Sequence, residues 1–161
     1  MDAKERKINE ARYFIDRMKN NYDDLLFLEY NFSAFLSAAR SVLQFIYEDI
    51  KNIPLKKELY INEVSKNKII KFFKYKRDTN IHIMPTAIGS RSVTISVGMQ
   101  YVILGEKTDN NKNWIPPKSE SINKITNWEG AEQEIINACE AYIKEICDFV
   151  ACGKSKGFIV S

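Results

Sequence analysis

Apolar residues recur at three- and four-residue intervals from the start of the chain, where Ile8, Ala11, Ile15 and Met18 form a stripe between charged positions. A period near 3.6 puts such residues on one face of a helix, and the spacing predicts an amphipathic helix over about 3–20. Asp23 and Asp24 then precede the run LLFLEYNFSAFLSAARSVLQFIYEDI. An aspartate ahead of an apolar run suits an N-cap, because its carboxylate accepts from the first unpaired backbone N–H groups. A second helix is therefore predicted over about 24–50. It is apolar around much of its circumference, as a central core helix is. Ser33, Ala34, Ser37, Ala38 and Ser41 are small enough to let a neighbouring helix come close.

Pro54 breaks this pattern. A third helix is predicted over about 62–82, ending before Pro85, since a residue preceding proline is pushed out of the α region. Ser92–Val97 and Met99–Leu104 are rich in β-formers and flank Gly98, which predicts a hairpin over 92–104. The stretch 105–127 is dense in Asn, Pro and Ser and is expected to be a surface loop. A last helix is predicted over about 128–151, with Ile135, Ala138, Cys139, Tyr142, Ile146 and Phe149 on one side and Gly153 as its stop. The expected fold is mainly α, a four- to five-helix bundle with a short β-hairpin insertion before the last helix, in one domain spanning 1–161.

The bulk numbers change this picture little. A chain of 161 residues, 45% of them apolar, can build one packed core without staples. Net charge is only +3, which by itself names no partner. Cys139, Cys147 and Cys152 show no CxxC and no nearby histidine pair, so they fit reduced thiols on a helix rather than a zinc site. No metal or cofactor is expected. The first residues, MDAKERKINEARYF, lack the apolar core of a secretory signal, and the apolar runs are far short of a membrane span. A cytoplasmic location with no membrane partner is the expectation.

The charge distribution says more than its sum. Lys66, Lys68, Lys71, Lys74, Lys76 and Arg77 crowd the third helix, interleaved with Phe72, Phe73 and Tyr75. Such a mixture suits RNA, with lysines attracting phosphates and aromatics stacking bases. It equally suits lysines that solvate a helix whose aromatics fill the core. Arg77 narrows the choice, because Ile70, Phe73 and Arg77 share a face at helical spacing. An arginine that continues an apolar stripe either snorkels or needs an anionic partner. His82, the sole histidine, lies five residues further on. On a regular helix it lies well around the axis from Arg77, and a helix frayed ahead of Pro85 would let it turn back.

An Arg–His pair is chemically adequate for RNA cleavage. The 2′-OH must lose a proton, the 5′-oxygen must gain one, and the phosphorane gathers negative charge. Histidine titrates near neutrality and can perform proton transfer. Arginine stays charged and grips phosphate oxygens with a planar fork. Asp78 is the candidate to orient His82, and Lys71, Lys74 and Lys76 are the candidate RNA-binding residues. Arg40, on an otherwise apolar helix, is expected to form a buried ion pair.

The string Arg77-Asp78-Thr79-Asn80-Ile81-His82 resembles the RxxxxH signature of HEPN domains, in which a polar residue commonly follows the arginine. Ala34–Val42 resembles a segment on the long helix preceding the RxxxxH helix in a bacterial subgroup of HEPN-like proteins, and Ala11-Arg12-Tyr13-Phe14 resembles that subgroup's first helix. The resemblance spans roughly residues 8–84. It implies a helical bundle that forms a homodimer, with two motifs meeting in a shared cleft. It also implies a metal-independent endoribonuclease acting in toxin–antitoxin, phage-defence or RNA-processing systems, at times with an antitoxin or inhibitor protein. Arg77 and His82 match the two fixed motif residues, and Asp78 matches the polar position. One toxin branch has a tyrosine two residues after the histidine, where this chain has Met84, so that branch's modification chemistry does not carry over. A non-catalytic HEPN-like dimer that binds RNA or protein stays open as the second reading.

Overall fold

A computed structural model of the chain describes residues 2–82, 89–92, 106–107, 114–115 and 121–159, with side chains over 2–78 and 123–159. Among the described residues it is mainly helical: α1 (Ala3–Asn20), α2 (Leu25–Ile50), α3 (Pro54–Lys66), α4 (Lys68–His82) and α5 (Ile135–Ser155). Short strands lie between α4 and α5. β1 (Gly89–Ser92), β4 (Ser121–Thr126) and β5 (Glu132–Glu134) form an antiparallel sheet in the order β1-β4-β5, and β2 (Glu106–Lys107) pairs with β3 (Trp114–Ile115).

The first two helices form as their patterns require. Ala11, Ile15 and Met18 are buried along α1. Asp24 caps α2, its carboxylate accepting from the Phe27 N–H at 3.0 Å. Helix α2 is the spine of the bundle, with ten buried residues from Leu28 to Ile50. Ala38 and Ala39 are buried within it, while Ser33, Ala34, Ser37 and Ser41 are half-buried.

The predicted third helix is two helices. Pro54 starts α3 rather than standing outside it, because the first helical turn needs no N–H from that position. Asn67 then leaves the helical region, at φ −89° and ψ 107°. Its side-chain oxygen accepts from the Ile70 N–H at 2.9 Å, so it caps α4, and its amide donates to Glu145 on α5. A mid-pattern asparagine thus marks a boundary, through the same local bonding that makes the residue a good cap.

The last helix also differs from expectation. Residues 132–134 are strand, so α5 begins at Ile135 and not near Trp128. It runs past Gly153 to Ser155 and is closed off by Gly157, whose φ of +73° is the left-handed conformation that glycine tolerates. The Gly157 N–H donates to the Lys154 carbonyl and the Phe158 N–H to the Gly153 carbonyl, each at 3.1 Å, a Schellman cap. Gly153 serves packing instead: a Cβ there would lie 2.4 Å from Ile159 Cδ1. The side predicted to face inward does so, with Ile135, Ala138, Cys139, Tyr142, Ile146 and Phe149 all buried.

Most of the hairpin predicted over 92–104 falls outside the described residues; Ser92 itself ends β1, which pairs with β4. The stretch 105–127 is not simply loop, since it contributes β2, β3 and β4. Asn123 on β4, a buried polar residue, ties this region to the turn after α1. Its amide donates to the Tyr22 carbonyl at 2.7 Å, and its backbone N–H donates to the Tyr22 hydroxyl at 3.0 Å.

Candidate nucleic-acid interface

Helix α4 packs against both α2 and α5, and this divides its surface. Ile70 and Phe73 are fully buried. The Phe73 ring stacks on Tyr142 of α5 at 4.3 Å with planes 3° apart, and meets Phe35 of α2 edge-on at 6.3 Å. Trp128 closes the cluster, 6.3 Å from Phe72 and 6.4 Å from Phe73, as an anchor for the segment ahead of β5. The other side of α4 carries the cations. Lys71 and Lys74 are exposed, as is Tyr75, so that ring is not a core aromatic. Lys76 is half-buried, with its ammonium 5.4 Å from the centre of the Phe72 ring.

Arg77 sits where the stripe places it, one turn beyond Phe73. Its side chain is 32% exposed, and its tip pairs with Asp78 at 3.1 Å. Its Nε is buried with no acceptor among the described residues. Such a donor carries a desolvation cost that an acceptor would relieve. Asp78 is therefore engaged with Arg77, the role of a charge partner. The backbone is helical through His82. Five residues of regular helix set positions 77 and 82 about 140° apart around the axis. The His82 side chain lies outside the described residues, as do Thr79 and Asn80.

Arg40 does not form the expected ion pair: among the described residues it has no carboxylate partner, and it lies beside Tyr60. Burial raises the Tyr60 phenol above its ordinary value, and the Arg40 charge offsets part of that rise. Lys71 and Lys74 also make no ion pair among the described residues. All three line one cavity between α2, α3 and α4. The sequence pointed to Lys71 and Lys74 but read Arg40 as structural. Arg40 and Lys71 are distant in sequence, and only the crossing of α2 by α4 brings them together.

Tyr142 is a further buried polar group that the sequence marked only as core. Its hydroxyl has no hydrogen-bond partner among the described residues, and burial pushes its pKa far up, with Arg40 opposing the rise and Asp78 adding to it. Arg91 lies in β1, opposite Ile122 of β4. Cys139 is buried, Cys147 and Cys152 are half-buried, and all three are free thiols. Among the described residues no group of three or more His, Cys, Asp or Glu side chains converges, and no helix is long and apolar enough to cross a membrane.

No family model matches the chain, and neither a curated protein nor a solved structure is similar enough to match it.

Proposed function

We propose that this protein is a metal-independent endoribonuclease of the HEPN type, acting on single-stranded RNA at a site shared by two copies of the chain. The observation that carries this reading is Arg77, a half-buried arginine whose tip pairs with Asp78 while its Nε has no acceptor among the described residues, on a helix whose Lys71 and Lys74 make no ion pair among those residues. Such an arrangement asks for an external anion, and a phosphodiester supplies one. Arg77 would hold the scissile phosphate. His82 would take the 2′-OH proton or return one to the 5′-oxygen, and the second copy's histidine would take the opposite role. Lys71, Lys74 and Lys76 would attract the flanking phosphates. A role in defence or as a toxin held by an inhibitor protein follows from the same reading.

The regular helix through His82 favours a second reading, RNA binding without cleavage, because it spreads positions 77 and 82 around the axis. Cleavage of a mixed-sequence labelled RNA in EDTA separates the two. Wild type is expected to leave 2′,3′-cyclic phosphate ends, and His82→Ala to be slower by about a hundredfold or more. Equal cutting by both proteins would remove His82 from the mechanism. A folded wild-type dimer that binds the RNA and leaves it intact would establish the second reading.

A further inference from the structure

The cavity between α2, α3 and α4 measures about 420 Å³, within the range of small-ligand sites, roughly 300–1,000 Å³. Its charged lining is all of one sign. Arg40 comes from α2, Lys71 and Lys74 come from α4, and among the described residues no carboxylate lines it. Tyr47 and Tyr60 form an aromatic wall, with ring centres 5.8 Å apart and planes at 51°. Leu43, Val64 and Ile70 supply apolar surface. The Tyr60 hydroxyl is already committed to the Leu43 carbonyl at 3.2 Å, so its ring rather than its proton faces a ligand's needs.

A second cavity, between α1 and α5, shows by contrast what a self-satisfied pocket looks like. It is of similar size, about 430 Å³, but there Arg12, Lys19 and Lys144 share the lining with Asp16 and Glu140. Lys19 and Glu140 pair at 2.6 Å. Charges largely balanced from within leave less demand for an ion. Three cations with no counter-charge in the described lining leave more.

We propose that the α2–α3–α4 cavity binds a nucleoside monophosphate unit, its phosphate held by Arg40, Lys71 and Lys74 and its base laid against Tyr47. The planar fork of Arg40 suits two phosphate oxygens, and the lysines add mobile point charges at the mouth. An aromatic face accepts any base, so the site selects for phosphate and a flat ring rather than for sequence. The unit is either a free nucleotide or one residue of an RNA strand. Lys74 and Arg77 are one turn apart on α4, about 4.5 Å along its axis, so a strand seated here continues toward Arg77. The inference does not require that the chain cut RNA.

The test is calorimetric titration of the full chain with adenosine 5′-monophosphate, adenosine and inorganic phosphate at low salt. The monophosphate is expected to bind at least about tenfold more tightly than either fragment. The double variant Lys71→Gln/Lys74→Gln, altered only at exposed positions, is expected to lose about tenfold while keeping its melting temperature. Tyr47→Ala is expected to weaken the monophosphate and leave phosphate binding unchanged. Equal affinity for adenosine and its monophosphate, or a double variant that binds like wild type, overturns the proposal. Competition by penta-adenylate assigns the site to a strand, and failure to compete assigns it to a free nucleotide. Both results support the pocket. A wild type that cleaves RNA without binding the monophosphate ends this inference and spares the nuclease. A chain that binds the monophosphate and never cleaves does the reverse.

Discussion

Helix α1 lies along α2 with Ala11, Ile15 and Met18 buried, whereas α3, 13 residues long, buries Tyr60 alone. The ends of the α1–α2 pair are tied as well, by Lys4 and Asp49 at 2.8 Å. Helix α3 leaves Leu55 and Ile61 exposed and is held by the Tyr60 bond to Leu43 and a Lys156–Glu63 pair at 2.9 Å. Both helices flank the same spine. Ala11, Ile15 and Met18 close the seam between α1 and α2. On the other flank, α3 buries Tyr60 alone, and a cavity lined by Arg40, Lys71 and Lys74 remains between α2, α3 and α4. What packs well here is structure, and what packs incompletely is where ligand chemistry is available.

The largest expected effect contrasts the two sides directly. Met18→Ala should cost about 2–5 kcal/mol, the range for deleting a buried side chain, while Leu55→Ala should fall within about 0.5 kcal/mol of wild type. Urea unfolding monitored by circular dichroism reads both. Comparable losses would mean that α3 is as tightly integrated as α1.

Alkaline titration sharpens the same contrast. In the packed interior of α5, burial raises the Cys139 thiol and the Tyr142 phenol above ordinary values of 9.0 and 10.0. A group whose folded pKa is raised binds its proton more tightly in the native state. Its stabilising contribution is therefore complete below the unfolded pKa and lost as pH climbs above it. Melting temperature is expected to hold to about pH 9 and then fall, with each such group contributing up to about 1.4 kcal/mol per pH unit. Tyr142→Phe, which also deletes an unpaired buried hydroxyl, should flatten part of that fall without lowering stability at neutral pH. An unchanged alkaline slope in this variant would show that other groups carry the transition.

The smallest effect concerns the junction of the two regions. Asn67→Ala removes the cap of α4 and its tie to Glu145, and should cost about 1–2 kcal/mol in the same urea experiment.

Much of the bundle was legible because period and burial agree. The stripe Ile8, Ala11, Ile15, Met18 and the inward side of α5 follow from spacing alone, and Asp24 announces its own cap. The split at Asn67 was missed since its neighbours continue a helical pattern on both sides, and only the capping habit of asparagine marks the break. β5 was read as helix because Glu132, Gln133 and Glu134 are good helix formers, and pairing with β4 overrides that preference. The placement of Arg77 beyond Ile70 and Phe73 was readable from the helical repeat. The lack of a partner for its Nε and for the Tyr142 hydroxyl among the described residues, and the meeting of Arg40 with Lys71 and Lys74, were not, because each depends on how helices distant in sequence cross.

The register of the small sheet has a bearing on how the chain is assembled. Ser92 of β1 stands opposite Ser121 of β4, so the backbone leaves the ladder and rejoins it on the same rung. Seen as wiring, the two serines bring the ends of the intervening segment to one paired rung. Shortening that segment to a tight turn, or grafting another module into it, would leave the circuit through the five helices unbroken.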